Sequence, residues 1–151
     1  MDLPDKNVNY KFKEYWDKRY TKEDNFEWCK GYDDFKQLIH EHARKCDRIL
    51  MLGCGNSTLS EEMYKDGYRN IVNIDFSPVV IENMKRKCKD LVEMEWLVMD
   101  IMSMTFSTSS FDVVIEKATL DALMVGEKDL WNPSEETRRS MDCVLLKVSQ
   151  F

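Results

Sequence analysis

Gly53 and Gly55, in the run Ile-Leu-Met-Leu-Gly-Cys-Gly-Asn-Ser over 49–57, and Asp75, twenty residues beyond Gly55, have the types and spacing that suit ligand chemistry. An apolar run that breaks into Gly-x-Gly reads as a buried strand entering a tight turn. Glycine there permits sharp backbone geometry and close approach of a ligand. A carboxylate at the end of the next apolar run, Asn-Ile-Asp-Phe-Ser over 73–77, stands where a βαβ unit meets a ribose, and one carboxylate can accept from two hydroxyls. The expectation is a site for an adenosine-containing molecule. A plain glycine turn with a solvated Asp75 is the competing reading, and these residues alone leave both open.

The glycine pattern also bears on which ligand. A dinucleotide fingerprint wants a third glycine at position 58, where a helix start packs against a pyrophosphate, and this chain has Thr58. Its absence suits an adenosine ligand without a pyrophosphate, of which S-adenosylmethionine is the common example, and weighs against a nicotinamide dinucleotide. A further apolar run ends in Val-Met-Asp-Ile over 98–101. In a doubly wound sheet its carboxyl end borders the same crevice, so Asp100 could accept from the adenine amine while Ile101 packs on the ring. Asp100 could equally close a turn, but carboxylates or glycines at three successive strand ends are better explained by one site than by three accidents.

The elements that must position these residues follow from periodicity. Residues 1–45 are polar and aromatic-rich, and helical spacing at Phe12, Tyr15 and Trp16 and again at Phe35, Leu38 and Ile39 predicts two helices with a loop near 21–25. From position 46 the pattern predicts strands over 49–52, 71–74, 94–99 and 111–115. Helices are predicted over 59–66, with Ser57 as cap and Gly67 as stop, over 77–87 from Ser77-Pro78, and from 132–134 to the end. Such alternation implies an α/β fold with a parallel sheet flanked by helices. One domain is expected over 1–151, divided into an N-terminal helical lid at 1–45 and a cofactor-binding βαβ core at 46–151.

Composition narrows the function classes. A chain of 151 residues with 43% hydrophobic content can build one core. The net charge of −6 and the lack of a Lys/Arg stripe argue against nucleic acid as a partner. Five cysteines without a C-x-x-C spacing favour reduced thiols and a cytoplasmic setting. Cys54 reads as a small turn residue rather than a nucleophile. His40 and His42, two apart on a helix, make a poor metal pair, so no metal is expected. The first residues carry neither a basic region nor an apolar core, so no secretory leader is expected, and no apolar stretch suggests a membrane.

After the fourth apolar run comes Phe-Asp-Val-Val-Ile-Glu-Lys-Ala-Thr-Leu-Asp-Ala-Leu over 111–123. Taken with Gly-Cys-Gly-Asn-Ser, Asn-Ile-Asp-Phe-Ser and Met-Asp-Ile, and with Tyr-Trp-Asp-Lys-Arg-Tyr at 15–20 and Phe-Glu-Trp at 26–28, it resembles the class I methyltransferases that modify lysines of translation elongation factor 1-alpha. The resemblance spans nearly the whole chain. It implies a Rossmann-like fold, S-adenosyl-L-methionine as cofactor and protein-lysine methylation of elongation factor 1-alpha. Gly53 and Gly55 would meet the cofactor through their backbone, Asp75 with Phe76 would hold the ribose, and Asp100 and Ile101 would frame the adenine. Trp16, Tyr20 and Trp28 would close over it, and Lys117 would sit at the methyl-transfer end. The aromatics could instead be plain core residues, and Lys117 a salt-bridge partner of Glu116 or Asp121. Those two acids could orient an incoming ammonium or cap the next helical turn.

Two departures qualify the resemblance. Ala118 stands where these relatives generally have glycine, and its methyl is expected to crowd the acceptor channel. Class I methyltransferases resemble seven-stranded sheets, whereas four strands are readable here, so a sheet lacking its last strands is expected, with an apolar edge open to self-association. That arrangement puts activity in doubt and keeps two alternatives: a noncatalytic methyltransferase-like binding module, or a small-molecule methyltransferase.

Overall fold

Strand β1 (Ile49–Leu52) is the axis of the fold, because all four of its residues are apolar and all four are buried. Alternate side chains of a strand face opposite sides, so Ile49 and Met51 enter one apolar core while Leu50 and Leu52 enter another. The computed structural model describes residue 4 and residues 6–151; the opening residues on which the absence of a leader was expected lie mostly outside the described ones. A 3-10 turn (Asn7–Lys11) leads into α1 (Lys13–Tyr20) and α2 (Tyr32–His42). The core then runs β1, α3 (Leu59–Lys65), β2 (Ile71–Asp75), α4 (Pro78–Lys87), β3 (Glu95–Val98), a 3-10 turn (Ile101–Ser103), β4 (Val113–Glu116), α5 (Thr119–Met124) and α6 (Glu135–Val148).

The sheet is parallel throughout, in the order β3-β2-β1-β4. Its two inner strands are buried on both faces, which explains why they read as continuous apolar runs. Residues of α1 to α4, such as Tyr20, Ile39, Met63 and Ile81, fill one core. The other holds Val144 of α6, with Leu120 and Leu123 of α5 packed against it. The chain end returns to this second layer: Ser109 N donates to the Gln150 carbonyl at 2.7 Å, and Phe106, Phe111 and Phe151 meet edge to face. No helix among the described residues is long and apolar enough to cross a membrane.

The expected strands and the helix from Pro78 appear close to their predicted bounds. β4 stands at a sheet edge, as expected, with half-buried side chains: Val113 and Ile115 pack on one core and Val114 on the other. Two local expectations need correction. The N-cap position of α3 is Thr58, whose side chain makes no cap bond, while the hydroxyl of Ser57, the expected cap, does accept from Leu59 N at 3.1 Å. The six-residue helix α5 was not foreseen, since one and a half turns carry too little periodicity to read.

Asn73 is a polar residue with no exposure at the centre of β2. Its Oδ1 accepts from Ser60 Oγ of α3, and its Nδ2 donates to the Glu95 carbonyl of β3 at 3.1 Å. An apolar replacement would leave the buried Ser60 hydroxyl without a mate and remove the tie to the Glu95 carbonyl. We therefore expect Asn73→Leu to lower stability by about 2 kcal/mol in urea unfolding, with an unchanged denaturant slope.

Candidate cofactor site

The carboxyl ends of β1, β2 and β4 and the residues just past β3 open into one cavity of about 220 Å³. Gly53, Cys54 and Gly55 after β1, Asp75 and Phe76 at β2, Asp100 and Ile101 after β3, and Lys117 after β4 all line it. Trp16, Tyr20 and Trp28 from the N-terminal segment wall the other side. Every residue expected to touch a cofactor is thus brought together.

The two glycines serve the chain itself. Both have positive φ, 57° and 51°, a region that side chains disfavour. A Cβ on Gly53 would lie 2.2 Å from Thr119 Oγ1, and one on Gly55 would lie 3.0 Å from Tyr20 Oη. The close approach at Gly53 is therefore made by Thr119 of α5, whose hydroxyl is 3.1 Å from the carbonyls of both Leu52 and Gly53.

Asp75 is only 5% exposed. Its Oδ2 accepts from Gly55 N at 3.0 Å and its Oδ1 from Ser77 N at 2.9 Å, so the carboxylate ties the glycine turn to the start of α4. Burial pushes its pKa up to about 6, against the opposing pull of those two amides. Asp100 Oδ1 accepts from Met102 N at 2.8 Å and so caps the 3-10 turn that presents Ile101. The Cys54 thiol is pushed well up, first by burial and then by Asp75, and stays protonated. That state suits a turn residue and not a nucleophile.

Lys117 points at a partner that sequence reasoning missed. Its Nζ donates to Glu27 Oε2 at 2.8 Å and to the Trp28 carbonyl at 2.9 Å, not to Glu116 or Asp121. Glu27 Oε1 also accepts from Thr58 N and Thr58 Oγ1, while its Oε2 takes the Ser57 hydroxyl at 2.7 Å. Burial alone would raise the Glu27 pKa, but the bonds from Lys117, Ser57 and Thr58 outweigh it and hold the carboxyl below its ordinary range. The motif Phe26-Glu27-Trp28 is thereby clamped between β4 and α3. Only contact at a distance of 30 to 90 residues would have revealed this, and no local spacing records it.

Glu116 and Asp121 do not line the cavity. Glu116 Oε1 accepts from Thr119 N and Leu120 N at 2.6 and 2.8 Å, the capping alternative. Asp121 is exposed on α5. Ala118 does line the cavity, and its φ of 67° puts an alanine in the left-handed region. Tyr10, Phe26 and Ala122, also in the lining, had not been singled out. Beneath the aromatic wall Arg19, 8% exposed, is gripped by the Glu23 carboxylate at 2.9 Å and lies 4.9 Å from the Phe26 ring centre and 5.1 Å from that of Trp28.

A family model described as a methyltransferase domain matches residues 49–141. The chain belongs to the methyltransferase-domain family. EEF1A lysine methyltransferase 4 of Mus musculus is 41% identical over 153 residues, covering 99% of this chain and 60% of that protein. The eEF1A lysine and N-terminal methyltransferase of Homo sapiens is 36% identical over 151 residues, 98% of this chain and 21% of its own length. This methyltransferase-domain chain thus spans about 60% of the length of the Mus musculus relative. Among solved structures, a TehB-like SAM-dependent methyltransferase from Corynebacterium glutamicum superposes with a TM-score of 0.54 at 22% identity, over 76% of this chain and 53% of that one. A putative S-adenosyl-L-methionine-dependent methyltransferase from Methanococcus maripaludis gives 0.53 at 12% identity, over 95% and 62%. Both likenesses establish the fold.

Two outcomes follow from the geometry. Glu27→Ala should speed amide hydrogen exchange across 21–31 and lower stability by about 2 kcal/mol, whereas Glu27→Gln should retain part of the clamp. Ala118→Gly should raise stability by about 0.5–1 kcal/mol in thermal unfolding, by relieving the left-handed alanine.

Proposed function

We propose that this chain forms the cofactor-binding part of an S-adenosylmethionine-dependent protein-lysine methyltransferase whose substrate is translation elongation factor 1-alpha. The observation that carries the reading is the meeting of Gly53, Asp75, Asp100 and Lys117 in one aromatic-walled cavity, in a chain 41% identical over 99% of its length to an EEF1A lysine methyltransferase.

The residues present fit such a cofactor. Asp75 keeps lone pairs beyond those taken by Gly55 N and Ser77 N, so it can accept from ribose hydroxyls. Asp100 and Ile101 supply an acceptor and an apolar surface for adenine, and Phe76 an apolar neighbour for the ribose. When bound, S-adenosylmethionine supplies a methyl group already activated by its sulfonium. What remains for the protein is alignment of the acceptor nitrogen and exclusion of water. Trp16, Tyr20 and Trp28 provide the dry wall, which also favours the neutral amine that alone has a lone pair for attack. Lys117, with two acceptors on its Nζ, acts in this scheme by holding the Glu27–Trp28 strap over the cavity. Glu116 contributes by orienting α5, and Asp121 by drawing a cationic partner from its exposed position. The five free cysteines support a reducing, cytoplasmic setting.

Calorimetric titration with S-adenosylmethionine tests the site. Saturable binding to the wild-type chain is expected, with a loss of about 100-fold in Asp75→Ala, the scale of two hydrogen bonds to a charged acceptor. Because ribose recognition draws on the ionised carboxylate, affinity should be steady above pH 7 and fall by up to tenfold per unit below pH 6. The ligand-free fold has the opposite sign at this residue. Its pKa lies above the ordinary 3.8, so the stability gained by protonation is complete below that value and is lost as pH rises through 6. Transfer of labelled methyl to purified elongation factor 1-alpha then tests the activity. Binding without transfer to any protein would leave the noncatalytic reading in place.

A further inference from the structure

Trp131 is 98% exposed and its neighbour Leu130 63% exposed, at the tip of the loop between α5 and α6. Single exposed aliphatic residues are ordinary on protein surfaces, but a tryptophan held wholly in water is not. Nor is the loop slack. The Glu127 carboxylate accepts from Ser134 N at 2.8 Å and from Ser134 Oγ at 2.7 Å, joining the two ends of the loop, and it also takes the Thr137 hydroxyl. Asp129 Oδ1 accepts from Trp131 N at 2.9 Å and the Asp129 carbonyl from Asn132 N, which folds the tip on itself. The indole is therefore presented from a braced scaffold, which reduces the ordering cost of inserting it into a partner.

Position and charge indicate what it meets. The loop continues directly from α5, whose Ala122 and Leu123 line the cofactor cavity. Within 121–139 five acidic residues (Asp121, Glu127, Asp129, Glu135 and Glu136) stand against Lys128, Arg138 and Arg139, with Arg139 paired to Glu135 and Arg138 bonded to Asn132. This segment thus carries a local excess of two negative charges in a chain whose net charge is −6. An apolar anchor inside an acidic surround complements a basic surface with a shallow apolar recess.

We propose that Trp131 is the anchor by which the chain docks the protein that bears the acceptor lysine, with the acidic residues of 121–136 steering a basic patch of that protein toward the cavity. This inference rests on the protein-lysine reading above. It gives the loop a specificity role separate from cofactor binding, so a short lysine peptide that does not reach the loop would escape it.

The test immobilises purified elongation factor 1-alpha and measures binding of the wild-type chain, Trp131→Ala, Trp131→Phe and Glu136→Lys, alongside each variant's affinity for S-adenosylmethionine, thermal midpoint and sedimentation. Trp131→Ala should weaken partner binding at least tenfold, Trp131→Phe should recover most of it, and Glu136→Lys should slow association in a salt-dependent manner. Cofactor affinity and thermal midpoint should not change. Equal binding by wild type and Trp131→Ala would overturn the proposal. So would a fall in thermal midpoint with unchanged partner affinity, which would mark an internal packing role, or a wild-type dimer that Trp131→Ala converts to monomer, which would make a second copy the occupant. Trp131-dependent binding without methyl transfer would sink the enzymatic reading and leave the docking surface standing. Transfer that is indifferent to Trp131 would do the reverse, and neither binding nor transfer would end both.

Discussion

The Asp75 carboxylate, nearly closed off from water and accepting one backbone amide on each oxygen, is the constraint around which the site is arranged. One amide belongs to the glycine turn after β1 and the other to the start of α4, so a single side chain fixes two strand-to-helix crossings relative to each other. Its desolvation cost is offset only in part by those amides, as the raised pKa records. A site that spends stability in this way is poised to regain it when hydroxyl donors arrive. The glycines belong to the same constraint, since positive φ at 53 and 55 aims the turn while Thr119 and Tyr20 close against the space that side chains would fill.

The N-terminal segment is bound to this framework by hydrogen bonds as well as by packing. Arg19 lies under the aromatic wall with Glu23 as its counterion, Asn56 Nδ2 donates to the Glu23 carbonyl at 3.0 Å, and Ser77 Oγ donates to Asp17 of α1. Asn83 Nδ2 reaches the Tyr20 carbonyl at 2.9 Å. These bonds bring the segment to the strand ends and not to the opposite rim of the sheet, which is why aromatic residues from before β1 complete a cavity built after it.

What the sequence made legible was local. The bounds of β1 follow from four apolar residues before a glycine, and the start of α4 follows from a serine cap with proline at the first helical position, where Ser77 Oγ does accept from Val80 N. Asp75 and Asp100 were readable because strand ends in this architecture share one crevice. What stayed hidden was nonlocal or too short. The partner of Lys117 lies 90 residues away at Glu27, and neighbouring acids in the chain looked equally able to take it. Helix α5 begins from a left-handed Ala118 and is held by Glu116, so neither propensity nor period announces it. The exposure of Trp131 has no signature in periodicity, since an aromatic residue in a polar stretch reads as easily as a core contact.

Helix α3 has a further consequence. Its Thr58 side chain accepts no helix amide but donates, together with Thr58 N, to one carboxylate from 31 residues earlier. The helix and the strap therefore form one cooperative unit in native-state fluctuations: lifting the strap uncaps the helix, and fraying the helix frees the strap. The glycine turn leads directly into that helix, so the turn is stiffest when the strap is down. Cavity closure and order of the nucleotide-side backbone are two readings of one local free energy, and a ligand that favours either favours both.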